Sequence, residues 1–384
     1  MDNATPVFLQ DGFIAENGRQ GHVPPAALEP LRRLAAKLRG DPRLSELAAR
    51  WNHELFGAAA PSLLPGDFPE QIEGLDEPEV WAFRALLVLS GFPFCRELLA
   101  GRGLPPELAD GAMADLPLWL EQFQRELGMP GVSNRILDWE TGLLRGSLLR
   151  LGRLQFGVRP FGGGVVVLRH RQTRRLQALA ADGLAFGPDG LIDGVDGHSA
   201  KSGAWKSSLV RGASRTCGNP VTPAGRAEDR LVELPLDEWE EALKPGDPVL
   251  DTHIPAGESL TTESCADAFA RAVAFHRRHF PEAGFKGFSC VSWFLDPQYQ
   301  QILKPDSNIL KFQRALHLFP VHEGGEDSYW RIFGMNGLKD GLARAPRDNS
   351  MRRAVADFLE RGGRLRSGGG FLLLEELPFS PAAD

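Results

Sequence analysis

The first 150 residues carry apolar side chains at helical spacing. Leu28, Leu31, Leu34 and Leu38 recur every three or four residues, as on the buried face of an amphipathic helix. The same spacing returns in four later stretches, at residues 44–55, 80–89, 104–127 and 139–148. The pattern predicts a helical domain over residues 1–150, with these apolar residues as its core.

After residue 150 the hydrophobic period changes to two. Residues 154–158 alternate apolar and polar positions, which is typical of a half-buried strand. A glycine turn at residues 162–164 leads into the apolar run 165–168, so the two segments are predicted to form a hairpin. Further short strands or edges are predicted at residues 184–186, 191–192 and 230–234.

The remainder of the chain mixes both periods. It contains predicted strands at 248–254, 288–294 and 371–374, helices at 262–278 and 350–361, a helical stretch at 297–316 interrupted near Pro305, and a hairpin of 318–321 with 330–333. A domain with strands and helices in this order belongs to the α+β class. Residues 151–384 are therefore predicted to form a mixed sheet flanked by helices.

Composition narrows the class of protein. A chain of 384 residues is long enough for two cores, and a net charge of −7 argues against a nucleic-acid binder. The N-terminus has no signal-peptide pattern, and no apolar run is long enough for a membrane span. The four cysteines form no CxxC pair, which disfavours a disulfide framework and a zinc site. We expect a cytoplasmic protein without a metal; its oligomeric state is left open.

Four segments carry a family resemblance. LGRLQF, DTHIP, SWFLDP and SNILKFQ, which begin at Leu151, Asp251, Ser292 and Ser307, together resemble a family of bacterial acyltransferase-domain proteins. The resemblance covers most of the chain, with a helical N-acyltransferase N-terminal domain and a GNAT-like C-terminal domain. It implies that strands 248–254 and 288–294 are neighbours that splay apart, so that the pantetheine arm of acetyl-CoA or another acyl-CoA lies between them. The acceptor would be an amine of unknown identity.

The segment after strand 248–254 reads PAGESLTTES and then enters a helix. Helix N-termini present free N–H groups and a partial positive charge, which favour phosphate. The resemblance implies that the coenzyme A diphosphate binds here, at five residues: Gly257, Ser259, Leu260, Thr261 and Thr262. Of the usual GNAT pattern only Gly257 fits clearly, and an ordinary capped helix would have the same composition.

Three residues are candidates for proton transfer. His253 ends the strand and suits a general base, acting directly or through water, although a histidine there also suits a structural role in the sheet. Glu258 on the following loop is a competing base, or only a favourable charge near the helix end. Tyr299 follows SWFLDP, where many GNAT enzymes place the donor to the leaving thiolate, although it equally fits a packing role. Asn308 suits either open sheet backbone or the pantetheine amides.

Basic residues are concentrated in residues 198–226, which contain no acidic residue. They are Lys201, Lys206, Arg211, Arg215 and Arg226. This segment suits the 3′-phosphate of coenzyme A, an acidic acceptor or nucleic acid, or is simply a solvated loop. A second cluster, between Arg169 and Arg175, is expected to be an exposed face.

The sequence therefore predicts an acyl-CoA-dependent N-acyltransferase that transfers the acyl group directly to the amine. Cys265 and Cys290 are expected to be buried and inert, so no covalent intermediate is implied. The alternative is a non-catalytic GNAT-like protein that binds acyl-CoA or another ligand as a sensor.

Overall fold

The computed structural model describes residues 5–57, 67–200 and 202–377. The chain divides into two compact units. The first comprises Met1–Leu151 with Pro255–Glu258, and the second comprises Gly152–Ile254 with Ser259–Asp384.

The first unit is helical, as predicted. Its helices are α1 (Asp11–Gln20), α2 (Pro25–Gly40), α3 (Pro42–Phe56), α4 (Glu77–Ser90), α5 (Phe92–Gly101), α6 (Glu107–Met113), α7 (Asp115–Leu127) and α8 (Asn134–Leu144), followed by strand β1 (Leu149–Leu151). Helix α4 is central, because every residue from Ala82 to Ser90 is buried. Its start is fixed by a capping box in which Asp76 accepts from the Glu79 N–H and Glu79 accepts from the Asp76 N–H. The helix predicted at 104–127 is in fact two, with a break at Ala114.

The second unit contains the remaining strands and helices. The strands are β2 (Leu154–Pro160), β3 (Val165–His170), β4 (Leu176–Ala180), β5 (Ala185–Phe186), β6 (Trp205–Lys206), β7 (Leu209–Arg211), β8 (Arg215–Gly218), β9 (Pro220–Val221), β10 (Val232–Pro235), β11 (Trp239–Leu243), β12 (Pro248–His253), β13 (Gly287–Ser292), β14 (His317–Gly324) and β15 (Arg366–Leu373). The helices are α9 (Thr262–His279), α10 (Tyr299–Ile302), α11 (Asn308–Arg314), α12 (Glu326–Phe333) and α13 (Ser350–Glu360). The predicted α+β class is confirmed.

The main sheet of this unit runs in the order β2-β12-β13-β15-β14. Strands β12 and β13 are parallel and are connected through α9, whereas the other neighbouring pairs are antiparallel. On one face Phe269 of α9 packs against Phe156 and Phe288. On the opposite face Val249 and Phe371 join a core with residues of β3 and β4. The sheet is therefore covered by α9 on one face and by a β-rich segment on the other.

The β-rich segment corrects the first predicted hairpin. Strand β2 pairs with β12 over six residue pairs, whereas β3 pairs with β4 and β11 in a separate sheet. The glycines at 162–164 do not reverse the chain onto β2, because Phe161 is buried in the core between the two sheets and leads the chain away. Local alternation could not reveal that β2 has a partner almost ninety residues later.

The second predicted hairpin, residues 318–321 with 330–333, is also wrong. Strand β14 pairs with β15, and residues 330–333 belong to α12. Glu326 and Asp327 occupy the first turn of α12, where acidic side chains favour a helix.

A glycine run in β15 allows the chain to pack closely after β13. A Cβ atom at Gly368 would overlap the Leu295 carbonyl oxygen, in the 3-10 turn Trp293–Leu295 that directly follows β13. At Gly369 it would overlap the Phe319 ring. Gly368 therefore lets the turn after β13 lie directly against β15, and Gly369 leaves room for Phe319 of β14.

We predict that Gly368→Ala destabilises the second unit by about 1–3 kcal/mol, the usual cost of overpacking. The matched control is Gly162→Ala, because no heavy atom lies within 4 Å of its added Cβ. The control should change stability by less than about 0.5 kcal/mol. Urea unfolding of both variants measures the difference, and equal stabilities would contradict the assigned packing.

Candidate active site

The pairing between β12 and β13 stops partway along the strands. Both strands are described throughout, and their parallel register joins only Leu250 to Phe288 and Asp251 to Ser289. On the outer sides, β12 pairs with β2 as far as His253, and β13 pairs with β15 as far as Ser292. The sheet therefore opens between the carboxyl ends of β12 and β13, as the predicted divergence requires.

Side chains alternate between the two faces at this opening. Leu250 is in register with Phe288, which contacts α9, so Leu250 and Thr252 face α9. Val249 belongs to the core on the opposite face, so Asp251 and His253 face away from α9. The opening thus has a helical face and a face that carries a histidine and an aspartate.

His253 is held by Asp251. Its Nε2 lies 2.8 Å from the Asp251 carboxylate, and both side chains are partly exposed, at 27% and 29%. Asp251 was not singled out from the sequence, although its position two residues before His253 on a strand places both on one face. A carboxylate next to one ring nitrogen fixes the orientation of an imidazole. The pair has the chemistry of an oriented base.

On the helical face, a cavity of about 530 Å³ lies between α9, α11 and the end of the chain's last strand. It brings together four residues predicted to bind the cofactor: Leu260, Thr261, Thr262 and Asn308. Most of the remaining lining is apolar, with Phe269, Val273 and Leu372 along its length. The volume falls in the range of small-molecule sites.

The start of α9 borders this cavity. Thr261 is the N-cap, and its hydroxyl accepts from the Ser264 N–H at 3.1 Å, while Ser264 accepts from the Thr261 N–H at 3.2 Å. Gly257 has φ +106°, a conformation that favours glycine. Gly257, Glu258 and Ser259 are exposed and are not among the residues that line the cavity.

Tyr299 lies elsewhere. It is 0% exposed, within an apolar cluster of α10, α12 and α13, and burial raises the pKa of its phenol far above the ordinary value. A phenol without accessible surface cannot meet a leaving thiolate. We therefore do not retain Tyr299 as the proton donor.

A polar network fixes the segment after β13. Asp296, fully buried, accepts from the Gln298 N–H and the Arg366 N–H, both at 2.9 Å, and burial raises its pKa to about 6. Gln313 donates to the Phe294 and Asp296 carbonyls at 2.8 and 3.0 Å. Gln313 therefore satisfies backbone groups beside the opening.

Three of the five basic residues flagged between 198 and 226 have structural partners. Arg211 pairs with Glu241 and Arg215 with Glu233, and Arg226 donates to the Asp189 carbonyl. Lys201 lies outside the described residues. The second cluster is likewise paired, with Arg169, Arg171 and Arg174 around Glu240 and Glu375. Ion pairing therefore accounts for most of the local excess of positive charge.

Two further classes of site were sought in the described part of the chain. Residues 5–57, 67–200 and 202–377 contain no cluster of histidine, cysteine and carboxylate side chains suited to a metal. No helix in these ranges is both long and apolar enough to cross a membrane.

The solved structures that are similar to this chain include acyltransferases. An acyltransferase in complex with decanoyl-CoA has 24% identity and a TM-score of 0.61, covering 96% of this chain and 89% of that chain. A mutant acyltransferase with octanoyl-CoA has 24% identity and a TM-score of 0.62, covering 95% and 88%. Another complex holds decanoyl-CoA and teicoplanin, with 24% identity, a TM-score of 0.62 and coverage of 94% and 87%. At this identity the likeness concerns the fold.

Family models match both parts of the chain, whereas no curated protein matches it. Residues 15–146 match the N-acyltransferase N-terminal domain, and residues 148–372 match the GNAT-like C-terminal domain. The chain therefore belongs to the acyltransferase family defined by this GNAT-like C-terminal domain, preceded here by an N-acyltransferase N-terminal domain.

Proposed function

We propose that this protein transfers an acyl group from acyl-CoA directly to an amine. The observation that carries the proposal is the opening between β12 and β13: the His253–Asp251 pair lies on one face of the sheet, and α9, which helps to line a cavity, covers the other. The acyl-CoA would bring its thioester into the opening from the helical face, and the amine would attack it on the face that carries His253. We retain residue 150 as the proposed division between an N-terminal domain and this catalytic domain.

The donor would enter along the cavity. Its diphosphate suits the free N–H groups at the start of α9, near Leu260, Thr261 and Thr262. Gly257 and Ser259 would complete this loop from its exposed side. The pantetheine arm would then pass into the opening, beyond the point where the register of β12 with β13 ends at Asp251. Asn308, on the cavity lining, is a further partner for an amide.

His253 would act as the base. The amine nitrogen attacks the thioester carbon, His253 accepts the amine proton directly or through water, and the carbon–sulfur bond breaks to release the coenzyme A thiolate. A thiol has a pKa of about 8.5, so the thiolate leaves without a dedicated acid. Asp251 would orient the imidazole. Glu258 is the next candidate for the base.

The structural neighbours suggest which substrates to test first. Complexes with octanoyl-CoA, decanoyl-CoA and teicoplanin make these two acyl-CoAs the first donors to test and teicoplanin the first acceptor. The alternative function, a sensor that binds acyl-CoA without turnover, would use the same cavity but would not need His253.

We expect coenzyme A and acyl-CoA to raise the melting temperature of the protein. A ligand present at a hundred times its Kd stabilises the folded state by about 2.7 kcal/mol, which corresponds to a shift of roughly 5–10 °C for a domain of this size. A thermal-shift series from coenzyme A to decanoyl-CoA tests this. The absence of any shift at millimolar concentrations would contradict the donor assignment.

We expect His253→Gln to lower the rate of acyl transfer by about a hundredfold or more, the usual contribution of a general base. The affinity for coenzyme A should change little, because the diphosphate contacts lie on α9. Release of the coenzyme A thiol with a panel of amines, including teicoplanin, gives the rate. His322→Gln, at an exposed histidine, is the control. Full activity of His253→Gln would instead favour Glu258, and binding without turnover by the wild type would favour the sensor.

We expect Cys265→Ala to retain activity even though Cys265 lines the cavity. Burial raises the pKa of its thiol to about 11, so little thiolate is present at neutral pH. Direct transfer also predicts sequential rather than ping-pong kinetics. Cys95→Ala, at a buried thiol in the first unit, is the control. An acylated cysteine detected by mass spectrometry would refute direct transfer.

A further inference from the structure

Two side chains of opposite charge, Lys311 and Glu263, lie on α11 and at the start of α9. Lys311 on α11 lines the cavity together with Thr261 and Thr262 at the start of α9. Glu263 occupies the first turn of α9. Both charged side chains are exposed. They flank the position where the proposed function puts the donor's phosphates.

Lys311 differs from Arg211 and Arg215, two residues that the sequence suggested as anion sites. Arg211 and Arg215 each have a carboxylate partner at 3.2 Å or less, whereas no carboxylate of a described residue lies within ion-pair distance of Lys311. The other charged residue on the lining, Glu376, is bound by His317 at 2.5 Å and by the Leu373 N–H at 3.0 Å. Lys311 is thus the cationic side chain on the lining with its charge available to a ligand.

Glu263 already uses the groups that an incoming phosphate would need. Its own backbone N–H and the Thr261 hydroxyl, with a smaller effect of the Lys311 charge, hold the pKa of the Glu263 carboxyl below its usual range. A carboxylate at this position is favoured by the partial positive charge of the helix end. Backbone N–H groups at a helix N-terminus are also the groups that bind a phosphate.

We propose that Lys311 binds a phosphate of the coenzyme A donor and that Glu263 is an internal anion which this phosphate must displace. The proposal rests on the proposed function and names the residues that set its affinity for the donor. Lys311 favours phosphorylated donors, and Glu263 weakens their binding by occupying its own N–H group and by repelling negative charge. The pair makes donor affinity dependent on ionic strength, since both side chains are exposed.

The test is the Kd of coenzyme A for the full chain carrying Lys311→Met or Glu263→Gln. Lys311→Met should weaken binding about tenfold, the factor equivalent to about 1.4 kcal/mol and a modest value for a hydrogen bond to a charged group. Glu263→Gln should tighten binding about three- to tenfold. The controls are Lys304→Met and Glu282→Gln, which remove exposed charges of the same sign away from the cavity lining and should leave the Kd unchanged.

Analogues of coenzyme A with fewer phosphates identify which phosphate Lys311 binds. If both variant effects persist with dephospho-CoA, the diphosphate is bound; if they disappear, the 3′-phosphate is bound, and either result supports the proposal. Effects of equal size with pantetheine, which has no phosphate, would overturn it. So would an unchanged Kd in Lys311→Met, or weaker binding by Glu263→Gln. A wild-type protein that binds no coenzyme A would instead refute the proposed function itself.

Discussion

The incomplete pairing of β12 and β13 is the constraint on which the candidate site depends. Backbone groups in the interior of a sheet are normally satisfied by a neighbouring strand. Here each strand keeps its outer partner, β2 or β15, while their shared register covers only two residue pairs. An opening of this kind is stable only if the flanking halves of the sheet are held independently.

The segments around the opening supply that independent support. On the β13 side, Asp296 and Gln313 bond the backbone that leaves the strand, and Gly368 lets the following turn lie directly against β15. On the β12 side, the six pairs with β2 and the aromatic contacts of Phe156 with Phe269 fix the strand. Burying Asp296 is costly for a carboxylate, and its backbone donors offset part of that cost. The site is therefore open where substrate would lie and closely packed around it.

Sequence patterns predicted the elements of the site better than their pairing. Strand β12 and helix α9 were predicted within one or two residues, because a long apolar run and a capped helix are local signals. The hairpin of β2 with β3 failed because the true partner of β2 is β12. The hydrogen bond from the Arg366 N–H to Asp296 could not be predicted either, because Arg366 lies seventy residues further along the chain. Tyr299 was placed near the site by its position after β13, and burial could not be read from that position.

The candidate base and the candidate phosphate-binding groups lie on opposite faces of the sheet, which the order of residues along the chain does not show. Asp251 and His253 lie on one face because they are two residues apart on a strand, whereas Thr261 and Lys311 border a cavity on the other. In a sheet with complete pairing, these groups would be separated by a continuous layer of backbone. Under the proposed function, a donor held by its phosphates on the helical face would present its thioester through the opening to a base on the far face.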